Sequence, residues 1–363
     1  MRDACRGLVV GLATAVAVSL GGASPAAATA PSHRAQADET EIQQALEELR
    51  QAAGAPGAAV SYTDGAGSIR LGSGVTHIHT LEPFTAAHRV RIASNTKTFT
   101  ATMILQLVDE GLVELDEPVE TFLPGVIRFP RHGEDRDGRT ITVRNLLQHT
   151  SGIADRAGST AQGTVSTSLA AGSQSVPGTT PLYSNANFVL AGWILEGVTG
   201  SAYSTALDER IVRPLGLQAT YNPAVGDVQI QGAHSRGHYS YLGSLFVDVT
   251  TTDPHWSGAA GTIISDMQDT DAFYRALLGG RLISPASLRE LQTVHGAYGL
   301  GIGRSDLSCG VTVWNHFGAL AGYGTMGAAT DDGRSVAAAV NAWPGGRPYL
   351  GGKWNELLEA ALC

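Results

Sequence analysis

Strand-like segments gather at the two ends of this 363-residue chain and helical ones fill its middle, an order that few architectures accommodate. Near the start, helical periodicity over residues 40–53 stops at Gly54. The runs Gly57-Ala58-Ala59-Val60-Ser61-Tyr62 and Ser68-Ile69-Arg70-Leu71 then flank a turn at Thr63-Asp64-Gly65. Near the end, residues 311–315, 322–330 and 335–341 read as strands, with Asp331-Asp332-Gly333 turning the last pair, and a helix over 354–362 closes the chain. Between them the periodicity predicts helices over 94–110, 143–149, 185–198 (closed by Gly200), 203–212 (stopped by Pro214), 265–278 and 285–293. The Gly, Ser and Thr between Gly158 and Gly178 predict a mobile or solvent-facing stretch. The implied fold is an α/β domain with an antiparallel sheet, discontinuous over about 40–93 and 258–363 and interrupted by a mainly helical part over about 94–257. A site is expected in the cleft between the two parts.

Residues 1–30 resemble a secretory signal. Arg2 and Arg6 precede an apolar run from Leu8 to Leu20, and small residues lead to Ala26-Ala27-Ala28 and Ala28-Thr29-Ala30, so cleavage is expected near Ala28 or Ala30. The run is short for a membrane span and no cysteine follows it, which predicts an exported protein without a stable membrane anchor after cleavage. Loss of Arg2, Arg6 and Asp3 would take the net charge from -9 to -10. Such an acidic chain without a basic run has no electrostatic footprint for nucleic acid. Cys5 would leave with the leader, and Cys309 and Cys363 would remain in an oxidising compartment, where a disulfide between them is expected.

The chain uses twenty-two arginines and only two lysines, and one of these is Lys97, three residues after Ser94. Arginine keeps its proton in a protein, whereas a desolvated lysine gives it up, so lysine stands where a base is needed. On a helix over 94–110 the two side chains share one face a turn apart, within reach for the amine to take the hydroxyl proton. Ser94 therefore reads as a nucleophile. His77-Ile78-His79 and His88 lack the spacing of a metallohydrolase and read as loop histidines, and no metal or cofactor is expected. Gly299-Leu300-Gly301-Ile302-Gly303 does not have the spacing of a dinucleotide site, and no Gly-x-Ser-x-Gly elbow occurs.

Two later motifs join the first: Tyr183-Ser184-Asn185, entering a helix, and His316-Phe317-Gly318, late in the chain. In order and spacing the three resemble the serine penicillin-recognising family of D-alanyl-D-alanine carboxypeptidases and class C β-lactamases. The flanks Thr96-Lys97-Thr98-Phe99-Thr100-Ala101, Leu105-Gln106-Leu107-Val108-Asp109-Glu110-Gly111 and Leu146-Leu147-Gln148-His149-Thr150-Ser151-Gly152 are similar too. The resemblance implies the β-lactamase/transpeptidase-like fold and an acyl-enzyme on Ser94. Lys97 and a tyrosinate at Tyr183 would share proton transfer, the base being left open between them. Asn185 would orient Lys97 or the substrate amide, and His316 would supply a hydrogen bond and adjustable charge. The backbone N–H groups of Ser94 and Ala319 would stabilise the oxyanion, beside Gly318.

Some carboxypeptidases of that family carry hydroxyl residues where this chain has Phe317 and Ala319, which weakens recognition of a terminal carboxylate. Arg304 is a candidate replacement cation. The sequence points first to a secreted D-alanyl-D-alanine carboxypeptidase acting on peptidoglycan stem peptides, with β-lactams as possible ligands. The rivals are a β-lactamase or esterase of the same machinery, and a non-catalytic wall-binding or sensing module. Joint retention of Ser94, Lys97 and Tyr183 speaks against the last, because binding alone needs no nucleophile.

Overall fold

A computed structural model describes residues 38–129, 138–241, 245–343 and 350–363; the leader expected over 1–30 lies outside them. The strands are β1 (Gly57–Thr63), β2 (Ser68–Gly74), β3 (Val90–Arg91), β4 (His238–Tyr241), β5 (Leu245–Asp248), β6 (Ile264–Ser265), β7 (Gly303–Asp306), β8 (Thr312–Leu320), β9 (Tyr323–Thr330) and β10 (Ser335–Val340). The helices are α1 (Glu39–Ala53), α2 (Thr96–Asp109), α3 (Val119–Phe122), α4 (Val143–Leu147), α5 (Ala161–Ala170), α6 (Asn185–Thr199), α7 (Tyr203–Leu207), α8 (Arg213–Leu215), α9 (Met267–Leu278), α10 (Pro285–Leu291) and α11 (Gly351–Leu362).

The two ends of the chain meet in one antiparallel sheet of order β2-β1-β10-β9-β8-β7. The N-terminal hairpin is zipped to the C-terminal one through β1 and β10, from Ala58 opposite Val340 to Thr63 opposite Ser335. Every residue of β1, β9 and β10 is buried, so these strands are covered on both faces, unlike the alternating β2 at the edge. On one face α1 and α11 place Leu46, Leu49, Leu357 and Leu358 over Val60, Met326 and Val336. Full burial of each such leucine is worth about 1.5–3 kcal/mol. On the other face lies α9, with the Tyr274 ring so close above Gly327 that any Cβ there would overlap it.

The helical part is centred on α2 and α6, neither of which has a polar side. α2 is buried along Thr96–Leu105 and α6 presents Phe188, Leu190, Ile194 and Leu195 to the core. The helix that carries the nucleophile motif is thus held in a solvent-free interior, which fixes its side chains before any ligand arrives.

Several expectations change. Residues 158–178 are not merely solvent-facing: Thr160 caps α5 through the Gly163 N–H, and Thr164, Val165, Ser168 and Leu169 are buried. Small side chains hid this face from the apolar pattern. Pro214 does not stop the helix after Val212. A π-helical turn (Asp208–Val212) carries the helical backbone from α7 into α8 past this proline, and Gly216 ends the run. β7 (Gly-Arg-Ser-Asp) has no apolar residue to announce it, β4 and β5 are only four residues each, and β8 extends beyond 315 to include His316 to Ala319. Cys309 and Cys363 are joined, tying the end of α11 to the turn between β7 and β8. Among the described residues no helix is long and apolar enough to cross a membrane.

Candidate active site

Ser94 sits in a short 3₁₀ turn (Ala93–Asn95) that runs into α2. The preceding Ala93 is in the left-handed region (φ 49°), a strain on the order of 1–3 kcal/mol for a residue with a Cβ. A buried network holds the turn against that strain. Asn95 Nδ2 donates to Thr325 Oγ1 (3.0 Å), Thr325 Oγ1 donates to the Ile92 carbonyl (2.9 Å), and Tyr274 donates to Asn95 Oδ1 (2.8 Å). Gly318 lets β8 approach: a Cβ there would stand 2.3 Å from both the Ile92 carbonyl and Thr325 Oγ1. The glycine of the His-x-Gly motif is thus a packing requirement of the nucleophile turn.

Lys97 is fully buried, with Nζ 3.1 Å from Ser94 Oγ, 2.9 Å from Asn185 Oδ1 and 2.9 Å from the Ala260 carbonyl. A neutral amine has two N–H groups and one lone pair. The two carbonyl oxygens can take the N–H groups, which turns the lone pair to the serine hydroxyl. Burial lowers the lysine from its ordinary value to about 7, against a smaller upward pull from the Asp155 carboxylate. This amine is charged and neutral in comparable amounts near neutral pH, as a general base should be.

Asn185 begins α6 and is fixed by Asp155, whose Oδ1 accepts from both its backbone N–H (3.0 Å) and its Nδ2 (3.2 Å). This orients the amide with Oδ1 toward Lys97. Tyr183, two residues earlier, is 43 % exposed and lines the cleft, its ring 4.8 Å from Lys97 Nζ. Burial pushes its phenol up, and the Ser94 hydroxyl only partly offsets this.

Beneath Tyr183 lies His149, a residue that motif reasoning quoted only as flanking text. It too has a positive φ (59°) and is buried, its ring centroid 4.3 Å from that of Tyr183. Its Nδ1 accepts from the Ser184 N–H (3.2 Å), and its carbonyl accepts from the Leu182 N–H (2.7 Å). His149 thus seats the tyrosine loop.

His316 stands on β8 facing the same cleft. Its Nδ1 lies 2.7 Å from the Phe317 carbonyl, which can only accept, so Nδ1 carries the proton and Nε2 accepts from the Tyr298 hydroxyl at 2.9 Å. Burial first, and the Lys97 charge second, depress His316 to about 3. The adjustable charge expected of it is absent at neutral pH: it is a neutral hydrogen-bonding group. Tyr298, its partner, had no motif to mark it.

The cleft has a volume of about 540 Å³. Beyond Ser94 and the polar residues just described, its wall is Gly303, Asn315, Phe317, Gly318, Ala319, Trp343 and Trp354. Phe317 packs on Trp354 with centroids 6.0 Å apart, so it both lines and narrows the space. Arg304 does not line it. Its guanidinium pairs instead with Asp306 at 3.0 Å. The replacement cation proposed from sequence is thus engaged outside the lining of the cleft. Among the described residues no group of His, Cys, Asp and Glu is arranged to hold a metal.

Comparison with known proteins gives the same constellation a context. Residues 42–361 match the family model described as Beta-lactamase. Among curated proteins, the chain is 30 % identical over 269 residues to penicillin-binding protein 4 of Amycolatopsis lactamdurans, covering 69 % of this chain and 68 % of that one. It is 33 % identical over 147 residues to the D-alanyl-D-alanine-carboxypeptidase/endopeptidase AmpH of Escherichia coli K12, covering 37 % of each. Among solved structures it is similar to a D-stereospecific amidohydrolase from Streptomyces sp. (TM-score 0.79, 37 % identity, 90 % of this chain and 99 % of that one). It is also similar to the D-amino acid amidase of Ochrobactrum anthropi SV3 (TM-score 0.78, 27 % identity, 89 % and 98 %). With its two-ended antiparallel sheet and its Ser94–Lys97 pair, this chain belongs to the β-lactamase family of serine hydrolases.

Proposed function

We propose that this protein is an exported serine amidohydrolase that forms an acyl-enzyme on Ser94 and cleaves small D-configured amides whose reacting end is uncharged and apolar. The observation that carries this reading is the charge of the cleft: among the described residues none that lines it is a cation. A substrate ending in a free carboxylate would lose its hydration there without a partner, a cost of several kcal/mol. Arg304 does not line the cleft and pairs with Asp306, His316 is neutral, and Phe317 and Ala319 offer no hydroxyl. The D-stereospecific amidohydrolase and the D-amino acid amidase, similar over nine-tenths of the chain, support the amide and its handedness. Export rests on residues 1–30 alone.

In this mechanism neutral Lys97 takes the Ser94 proton as Oγ attacks the amide carbonyl, and the N–H groups of Ser94 and Ala319 hold the oxyanion. Tyr183, kept protonated, hands a proton to the leaving nitrogen and recovers one from Lys97. Water then attacks the ester by the reverse route. His316 and Tyr298 orient the substrate without adding charge.

The D-alanyl-D-alanine carboxypeptidase reading stays as the second one, favoured by the penicillin-binding relatives. Four substrates separate the two: D-phenylalanine amide, its L enantiomer, a D-Ala-D-Ala peptide and the C-terminal amide of that peptide. The proposal expects the D amide and the capped peptide to be cleaved faster than the L amide and the free acid. A higher kcat/KM on the free acid than on its amide returns the protein to the carboxypeptidases. Incubation with benzylpenicillin, followed by intact mass, tests whether a β-lactam adduct persists or is released.

A further inference from the structure

A second cavity lies behind the reaction centre. It is larger than the cleft, about 680 Å³ against 540 Å³, and is walled by α6, the starts of α5 and α7, and the turns at 222–226 and 253–262. Val189, Trp193 and Glu196 reach it from successive turns of one face of α6. Its inner wall includes Ala259, whose carbonyl accepts from Thr100 (2.7 Å); the next carbonyl, Ala260, accepts from Lys97. One turn of chain therefore separates this space from the catalytic amine.

Among the described residues, Glu196 and Asp253 are the acidic ones of the wall, and no lysine or arginine lines it. Glu196 uses Oε1 to accept the Tyr203 N–H, and Asp253 uses Oδ1 to accept the His255 N–H (2.8 Å) and Nδ1 (2.5 Å). These bonds to His255 hold the Asp253 carboxyl below its usual range, with a smaller help from Arg91, whose guanidinium is itself directed to the carbonyls of Val228 and Thr250. Since a carboxylate only accepts, His255 Nδ1 carries a proton. That imidazole is nine-tenths buried in the cavity wall, and its Nε2 has no hydrogen-bond partner. An apolar floor, two carboxylates and an unpartnered buried ring nitrogen describe a site that favours a polar ligand with positive charge at the carboxylates.

We propose that this cavity binds a small organic ammonium with an aromatic or branched apolar body, the body against Trp193 and Val189 and the ammonium at Asp253 and Glu196. The inference does not depend on the reaction proposed at Ser94. Isothermal titration of the folded exported chain with 2-phenylethylamine should give one saturable site with a dissociation constant on the order of 1 mM or tighter. The neutral analogue 2-phenylethanol should bind at least about tenfold more weakly. Asp253→Asn should weaken the amine by a similar factor. Val225, 92 % exposed on the rim, can become lysine without touching the core, and Val225→Lys should also weaken binding by placing a competing cation at the carboxylates. Phe317→Ala, in the cleft, should leave binding unchanged. No saturable heat up to about 20 mM, equal binding of the alcohol, or loss in Phe317→Ala with none in Val225→Lys would each overturn the site.

Discussion

The two ends of the catalytic cleft obey different rules. At one, Ser94, Lys97 and Asn185 form a closed hydrogen-bonded corner in which each polar atom has a named partner within 3.2 Å. At the other, Phe317, Trp343 and Trp354 line the space with aromatic rings, from β8, from the segment after β10 and from α11, and Phe317 packs on Trp354. The corner tolerates almost no change, because proton transfer depends on tenths of an ångström and on a lysine held near neutrality. The wall needs only bulk and shape. Chemistry and selectivity are thus assigned to separate regions, and substitutions should fall into two classes accordingly.

The largest effect belongs to the corner. Ser94→Ala should abolish acylation, with turnover falling on the order of 10⁶-fold, and no fluorophosphonate label should appear in intact mass. Next comes Lys97→Arg, which keeps the charge and removes the base. Turnover should drop ~10²–10⁴-fold in a protein whose circular dichroism and melting are unaltered. The pH profile gives the sign: Lys97 acts when neutral, so the acylation rate of the native enzyme should rise with pH through about 7 and level off above. His316, depressed to about 3, should add no inflection between about pH 5 and 8. A Lys97→Arg enzyme acylating within about threefold of native would dissolve the distinction and move the base to Tyr183.

This division also explains what could be read from the chain. Ser94, Lys97, Tyr183 and Asn185 were legible because the chemistry restricts each to one or two residue types at fixed spacing on a helix or at its entry. The sheet was legible because β1 and β10 are nearly continuous apolar runs with a glycine turn between the last strands. Tyr298, Trp343 and Trp354 were not, since an aromatic residue in a wall has the same sequence signature as one in any core. His149 was visible only as text around a motif; its positive φ, the trait that singles it out, belongs to the backbone and not to the sequence. Arg304 failed for a simpler reason. Its guanidinium is taken up by Asp306 two residues on, a local pairing that a search for motifs does not report.

The disulfide offers an intermediate test, because it ties down the wall and not the corner. Cys363 ends α11, which carries Trp354, and is bonded to Cys309 across 54 residues. Cys363→Ala should lower stability by about 2–4 kcal/mol, measured as a shift of the urea midpoint at constant slope. Below that midpoint, KM for an aromatic amide should rise while kcat is kept. A fall in kcat with KM unchanged would mean that α11 supports the corner as well, and that the two regions are mechanically one.

The smallest expected effect is the most discriminating, because it asks whether the wall alone sets the choice of substrate. Phe317 lines the cleft and packs on Trp354. Phe317→Ala should therefore cost about 1–2 kcal/mol in kcat/KM for D-phenylalanine amide, roughly tenfold, and almost all of it in KM. Phe317→Thr removes the same ring but returns a hydroxyl to the face that a substrate carboxylate would meet. Relative to Phe317→Ala it should improve cleavage of the free D-Ala-D-Ala acid by several-fold, about 1 kcal/mol for one hydrogen bond to a charged group, while leaving the capped peptide unchanged. If Thr and Ala instead behave alike toward the free acid, residue 317 serves only as bulk. The missing cation, not the missing hydroxyl, would then be what keeps carboxylates out of the cleft.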